Sequence, residues 1–402
     1  MTSCTKWRAL LLLSFAELLV MAVWFSASAV VPALAAEWRL GSGVQAWLTM
    51  SVQLGFVAGA LGSAVLNLAD RIPARRLFAA SALLASIATA LIPALAEGPL
   101  VALPLRFLTG LFLAGVYPVG MKIMASWARE DRGLAIGLLV GALTLGSASP
   151  HLLRALGGSG DWRIVLYASA RLAALGGILA AGCVAEGPHR SPAPPFHWRY
   201  AGEMLRQRDL VLANLGYLGH MWELYAMWAW LPVFLGAAFK TAGAGERAAG
   251  FVAFAAIGAG GLGSLAAGKL ADRIGRTRVA IASLIASGLC AASVGFLADR
   301  GPVVLAVLSI VWGAAVVADS AQFSACVSEL CRPEYSGTAL TLQTSLGFLL
   351  TLATIRLVPS IEGRLGWGWA FASLAIGPAV GIAAMEALRR SPSAKKLAGG
   401  RG

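Results

Sequence analysis

Apolar residues dominate the chain in long runs that recur with short polar interruptions. A helix needs about 20 apolar residues to cross a bilayer core of about 30 Å. By that ruler the sequence divides into twelve segments, near residues 9–35, 45–68, 77–96, 100–124, 133–156, 163–185, 209–235, 249–271, 277–298, 303–328, 336–360 and 367–388. Most connections are short, so successive helices run antiparallel. The first segment follows Lys6 and Arg8 and carries Ala33-Leu34-Ala35, a pattern shared with cleaved signal peptides. Its apolar stretch is longer than the 7–15 residues of a signal core and contains Glu17, so it reads as a retained helix.

Composition agrees. Of 402 residues, 58% are hydrophobic and 13% charged, against roughly 25% charged in soluble domains. That excludes a soluble enzyme, a disordered chain or a nucleic-acid-binding domain, so no nucleic-acid partner is expected despite a net charge of +13. The basic residues instead sort by side. Twenty-one of the 32 lysines and arginines fall at the first end of the chain, in the even-to-odd loops (Arg71, Arg75 and Arg76; Arg129 and Arg132; Arg190 to Arg208; Lys269 to Arg278) and at the last end; six lie on the other side. The positive-inside rule then places both termini in the cytoplasm of a cell (inner) membrane. Five scattered cysteines show no metal-ligand or disulfide spacing.

Residues 186–208 form the longest polar stretch and separate six helices from six. The expected organisation is an N-terminal bundle over 1–185, a central cytoplasmic loop over 186–208, a C-terminal bundle over 209–390 and a tail over 391–402. The halves echo each other. Leu-Ala-Asp-Arg-Ile occurs at 68–72 and again at 270–274, and Glu17, Leu18, Met21 and Trp24 recur as Glu223, Leu224, Met227 and Trp230. The offsets are 202 and 206 residues. Six helices per half make the repeats parallel, which puts a solute site near the midplane between them.

These features resemble the major facilitator superfamily of secondary transporters. The second loop copy, Gly268-Lys269-Leu270-Ala271-Asp272-Arg273-Ile274-Gly275-Arg276, carries the family loop pattern throughout. The first departs from it at Leu66, Pro73 and Ala74. The resemblance implies an all-α integral membrane fold of twelve helices in two pseudo-twofold bundles, alternating access, and a cytoplasmic gate involving Asp70, Arg71, Asp272, Arg273 and Arg276. It also implies a transporter rather than an enzyme.

Ionisable residues deep in a membrane cost several kcal/mol and mark function. Here they are Glu17, Arg106, His220, Glu223 and Asp319, on helices 1, 4, 7 and 10, which the family resemblance assigns to the central cavity. Helical spacing places Glu17, Met21, Trp24 and Ser28 on one face, and Arg106, Gly110, Leu113 and Tyr117 on another. Trp24, Tyr117, Trp230, Trp312 and Gln322 are expected to line the cavity. Depth along the helices argues against direct Glu17–Arg106 contact. Arg106 lies in Arg106-Phe107-Leu108-Thr109-Gly110, which resembles the family's proton-coupling arginine motif. His220 and Glu223 alone do not make a metal site, and no P-loop is present, so the proton gradient is the expected energy source, with no cofactor. The expected partners are the lipid bilayer, protons and a small organic solute, with the chain acting as a monomer. Three deep acids against one arginine lean toward efflux of a cationic or zwitterionic metabolite or drug; an anion held by Arg106, or a non-transporting sensor, are the alternatives. Glycine-rich helix 5 does not settle transport direction.

Overall fold

The computed structural model describes residues 3–402 other than 128–131, 158–160, 190–195, 197–199, 201, 203 and 205. Arg129, Arg190 and Arg199, counted above among the basic residues, lie outside the described set. Among the described residues the chain is helical and makes twelve passes. The first, α1, has three pieces, Ser3–Met21, Ser26–Ala29 and Val31–Trp38. Then come α2 (Ser42–Val65), α3 (Ala74–Leu95), α4 (Pro99–Leu113 and Tyr117–Trp127), α5 (Arg132–Gly157) and α6 (Trp162–Cys183). The second half has α7 (Arg208–Thr241), α8 (Gly245–Ile274), α9 (Arg276–Val294) and α10 (Pro302–Ala318 and Ser320–Leu330). One long helical run, Ser336–Ala372, breaks at Gly366, where φ is 79°. That break divides α11 (336–365) from α12, which continues through Ile376–Arg389. A left-handed φ suits glycine, which carries no Cβ to clash.

These limits follow the apolar runs. Nine helices among the described residues are long and apolar enough to cross a membrane by length and composition. Leu100, Leu262, Leu289 and Val303 are between 66% and 90% exposed. In water such residues would be a liability; on this fold they make an outer apolar surface suited to lipid.

Packing repeats with the sequence. In the first half α1 packs on α5 and α6, α3 on α4 and α6, and α2 on α4. In the second half α7 packs on α11 and α12, α9 on α10 and α12, and α8 on α10. Each contact has its counterpart six helices on. The halves meet along α5–α8 and α2–α11, two pairs that a pseudo-twofold exchanges. Glycine permits these approaches. A Cβ on Gly110 of α4 would overlap the Val52 carbonyl of α2, and one on Gly313 of α10 would overlap the Ala256 carbonyl of α8. Without hydrophobic force between helices in lipid, close contact of small residues is what holds them together. Across the halves, Gly141 of α5 and Gly261 of α8 meet backbone to backbone.

Three of the four helices that carry deep charge are interrupted. The first breaks over residues 22–25, α4 over 114–116 and α10 at Asp319, whereas α7 runs unbroken through Pro232. A break frees backbone groups where no water can satisfy them, so each needs protein partners.

Candidate solute cavity and buried charge sites

A cavity of about 880 Å³ opens between the halves, within the 300–1,000 Å³ typical of small-molecule sites. It runs from Trp24, Tyr225, Trp228 and Phe348 at membrane depth to Asp272, Arg276, Glu329 and Arg401 near the face where the chain ends, here the terminal face. Its walls carry Tyr117, Thr144, Tyr217, Ser320, Gln322, Ser324 and Thr344. A second opening of about 450 Å³, lined by Asn67, Tyr117, Lys122, Thr341 and Thr344, adjoins it.

An aromatic cluster roofs the cavity. Trp24 stacks on Tyr225 at 6.1 Å between ring centres, and Phe348 lies 4.9 Å from Tyr225 and 5.6 Å from Trp24. Phe56 and Trp228 extend the cluster, so rings from α1, α2, α7 and α11 close the cavity from both halves. At the opposite face Arg154 of α5 reaches Glu246 of α8 at 3.1 Å and donates to the Ala29 carbonyl at 2.8 Å. An ion pair thus joins the halves on that side.

Among the described residues, the ion pairs given at the terminal face lie within each half. Asp70 pairs with Lys122 of α4, whose ammonium also donates to the Ala69 carbonyl. Arg276 grips Glu329 through two hydrogen bonds of 2.9 and 2.6 Å and reaches Gln322 at 3.3 Å. Arg71, Asp272 and Arg273 are exposed. Residues 392–402 lie across this face: Leu397 is buried, the Ala398 N–H donates to Glu329, and Arg401 donates to the Asp272 carbonyl. Of the gate residues expected from the loop motif, Asp272 and Arg276 line the cavity mouth, Asp70 pairs with Lys122 at the adjoining opening, and Arg71 and Arg273 line neither; the ion pairs at this face bring in Lys122 and Glu329. Lys122 was visible as a basic residue inside helix 4, and Glu329 as an acid at the end of helix 10, without a signal to pair either.

The five deep ionisable residues do not line this cavity; each is at most 1% exposed and lies inside a bundle. Glu17 points into the first bundle. A Cβ on Gly120 would come within 2.8 Å of its Oε2, and neither carboxyl oxygen has a hydrogen-bond donor among the described residues. Its repeat counterpart Glu223 is fully partnered, with Trp312 Nε1 donating to Oε1 at 2.5 Å and Ser287 Oγ to Oε2 at 2.8 Å. His220 Nδ1 lies 2.8 Å from Asp319 Oδ1, a pair linking α7 to α10. His220 and Glu223 thus go to different partners, and no cluster of three metal-ligating residues occurs among the described residues.

Arg106 pairs with no acid among the described residues. Its guanidinium donates to the carbonyls of Val23 at 2.9 Å, Leu48 at 3.2 Å and Trp24, and to Ser26 Oγ at 3.2 Å. The Val23 and Trp24 carbonyls are backbone groups freed by the break in α1, and Leu48 ties the same guanidinium to α2. A planar guanidinium with five donors suits such a cluster. As depth indicated, it does not meet Glu17.

The expected one-face stripes are altered by the same breaks. Trp24 lines the cavity while Glu17, on the same predicted face, enters the bundle, because the chain is not helical between residues 22 and 25. Ser28 turns to Thr49 of α2, 2.7 Å away. Tyr117 and Gln322 line the cavity as expected. Trp230 and Trp312 do not: their indoles donate to the Ile355 carbonyl and to Glu223. Thr144, Thr344 and Phe348 were not singled out from sequence, and only a mid-helix hydroxyl would have marked the first two.

Two bundles of repeated helix packing around a cavity that reaches one face define a membrane transporter of the alternating-access kind. The family model described as Major Facilitator Superfamily matches residues 13–355 and again 215–402, so the chain belongs to the major facilitator superfamily. It is a transporter and not an enzyme. Among solved structures, that of the nucleoside transporter NupG aligns with a TM-score of 0.73 at 17% identity, covering 94% of this chain and 99% of that one. That of a D-xylose-proton symporter aligns with a TM-score of 0.75 at 17% identity, covering 97% and 99%. At this identity both show the fold. No curated protein sequence matches the chain.

Proposed function

We propose that the protein is a proton-coupled secondary transporter of a small organic solute, acting as a single chain in the cell membrane with both termini cytoplasmic. The terminal face is then the cytoplasmic face, and this structure is the inward-facing state: open toward Arg276 and Glu329, closed by the aromatic roof and the Arg154–Glu246 pair. The division into bundles over 1–185 and 209–390, with 186–208 as linker, fits the repeated packing. The gate reading of Asp70, Arg71, Asp272, Arg273 and Arg276 rests on the loop motif and on the place of Asp272 and Arg276 at the mouth, with Asp70 held by Lys122 at the adjoining opening. In the outward-facing state their ion pairs are exchanged for contacts across the halves.

The observation that carries the reading is Glu17. It is a carboxyl at membrane depth with no donor beside it and no exposure to the cavity. An ionised, unpartnered carboxylate there is costly, whereas the neutral acid is tolerable. Loading and releasing its proton therefore demands a change of conformation, which is what coupling requires. Glu223 and the His220–Asp319 pair are the second-half candidates. The acids that leaned the sequence toward a cationic solute are all withdrawn from the cavity wall, and coupling accounts for them better than binding does. Arg106, with its donors taken by carbonyls, supports positioning of the α1 break better than binding of an anion. The D-xylose-proton symporter, as its name says, couples its solute to protons, and its fold is shared.

The test is a single cysteine, Ser324→Cys, at a part-exposed position that lines both openings, with the native cysteines replaced by serine, in proteoliposomes. Labelling by a membrane-impermeant maleimide is expected to change with pH across the coupling range, and Glu17→Gln to flatten that response. Labelling that is independent of pH, or unchanged by Glu17→Gln, rejects coupling through Glu17.

A further inference from the structure

Six tryptophans are buried among the described residues. Four give their indole N–H to a defined acceptor: Trp127 to the Ala185 carbonyl, Trp162 to Glu37, Trp230 to the Ile355 carbonyl and Trp312 to Glu223. Trp24 and Trp228 give theirs to nothing, though they are 2% and 1% exposed. These two are also the tryptophans that line the cavity. A buried indole normally finds a partner, and leaving a buried donor unmet costs about 1–3 kcal/mol. The coincidence of unmet donors with the cavity indicates that the missing acceptors belong to what the cavity binds.

The surroundings narrow its chemistry. Indole N–H is a donor only, so the solute must present acceptors at the roof. Tyr225 and Phe348 beside the tryptophans offer ring faces. The charged residues among those lining the cavity are Asp272, Arg276, Glu329 and Arg401, all toward the terminal face. At roof depth the polar wall groups are hydroxyls, without a carboxylate to pair a cation or a free guanidinium to pair an anion; the Gln322 amide, 3.3 Å from Arg276, lies toward the terminal face.

Resting on the reading of this cavity as the solute path, we propose that the roof binds an uncharged, ring-bearing solute with at least two hydrogen-bond acceptors, held by the Trp24 and Trp228 indole N–H groups and stacked among Tyr225 and Phe348. Trp24 comes from the first half and Trp228 from the second. One solute accepting from both therefore bridges the halves.

Equilibrium binding in detergent, with no gradient, separates this inference from proton coupling. Tryptophan fluorescence and thermal shift would be read for the full chain against ring solutes matched in size and differing in charge, including nicotinamide, nicotinate and the 1-methylnicotinamide cation. The tightest ligands are expected in the uncharged set. Trp24→Phe and Trp228→Phe keep a ring and remove the N–H, so each is expected to weaken those ligands about fivefold or more, while the unliganded protein keeps or raises its melting temperature because no native hydrogen bond is lost. A cationic or anionic set that binds tightest overturns the proposal, as does absence of binding by the uncharged set. Phe variants that bind unchanged, or that lower the unliganded melting temperature of both proteins by several degrees, overturn the role of the indole N–H groups.

Discussion

Single residues show how burial and hydrogen bonding sort groups that look alike in the sequence. Glu17 and Glu223 occupy equivalent repeat positions, yet one has no donor and the other has two. The carboxylate of Glu223 is therefore the more expensive to remove. Replacing Trp312 by Phe leaves Glu223 short of a donor and is expected to lower the melting temperature, since an unmet buried charged group costs upward of about 1–3 kcal/mol; Glu17→Gln is expected to be far milder. A scan of both variants in the same detergent checks this. Arg106→Leu orphans the carbonyls of the α1 break, so a loss of about 3 kcal/mol or more is expected, with Arg106→Lys recovering only part because three point donors replace a fork. Outside the membrane segments, the Glu37 carboxyl is held below its ordinary value of 4.5 by the hydrogen bonds from Trp162 and Arg163. A depressed folded value means stability fully present above the ordinary value and lost as pH falls below it. A melting-temperature profile is expected to decline below about pH 4.5 less steeply for Glu37→Gln than for the parent chain.

At the scale of helices, crossings are set by glycines at repeated positions. Gly110 and Gly313 let α4 and α10 touch the backbones of α2 and α8. Alanine at either forces the helices apart, with an expected cost of about 1–3 kcal/mol for overpacking, measurable as a lower thermal midpoint. Gly62, beside which a Cβ would meet nothing within 4 Å, is the control and is expected to accept alanine freely. The limits of the twelve helices were legible in the hydropathy pattern because length against bilayer thickness is a one-dimensional constraint. The breaks in α1, α4 and α10 were not legible. They are stabilised by partners far along the chain, such as Arg106 for residues 23 and 24, and no local residue announces them.

For the whole molecule, one ion pair joins the halves at the face that the proposed inward-facing state closes. Arg154–Glu246 joins the halves at the opposite face and is partly exposed, so it contributes about 0.2–1 kcal/mol. Glu246→Gln is expected to shift the equilibrium toward the outward-facing state by about fivefold at most. Double electron–electron resonance between labels on α5 and α8 would register the shift, and an unchanged distance distribution would show that the pair does not hold the closed side.

What the sequence determined is what depends on neighbours along the chain or on simple partition between water and lipid. The number and limits of the membrane passes, their division by a polar linker, the internal repeat and the loop motif all belong to that class. Even the presence of costly charges in the membrane could be read, because nothing apolar explains them. Which way those charges face was decided only in three dimensions. A helical wheel assumes an unbroken helix, and α1 is broken between Glu17 and Trp24, so one stripe separates into a carboxyl inside a bundle and an indole on the cavity. The cavity wall is assembled from α1, α4, α5, α7, α8, α9, α10 and α11, and a surface made by eight separate helices has no linear signature. For the same reason, only the folded chain reveals that the indoles of Trp24 and Trp228 lack acceptors while four other buried tryptophans do not.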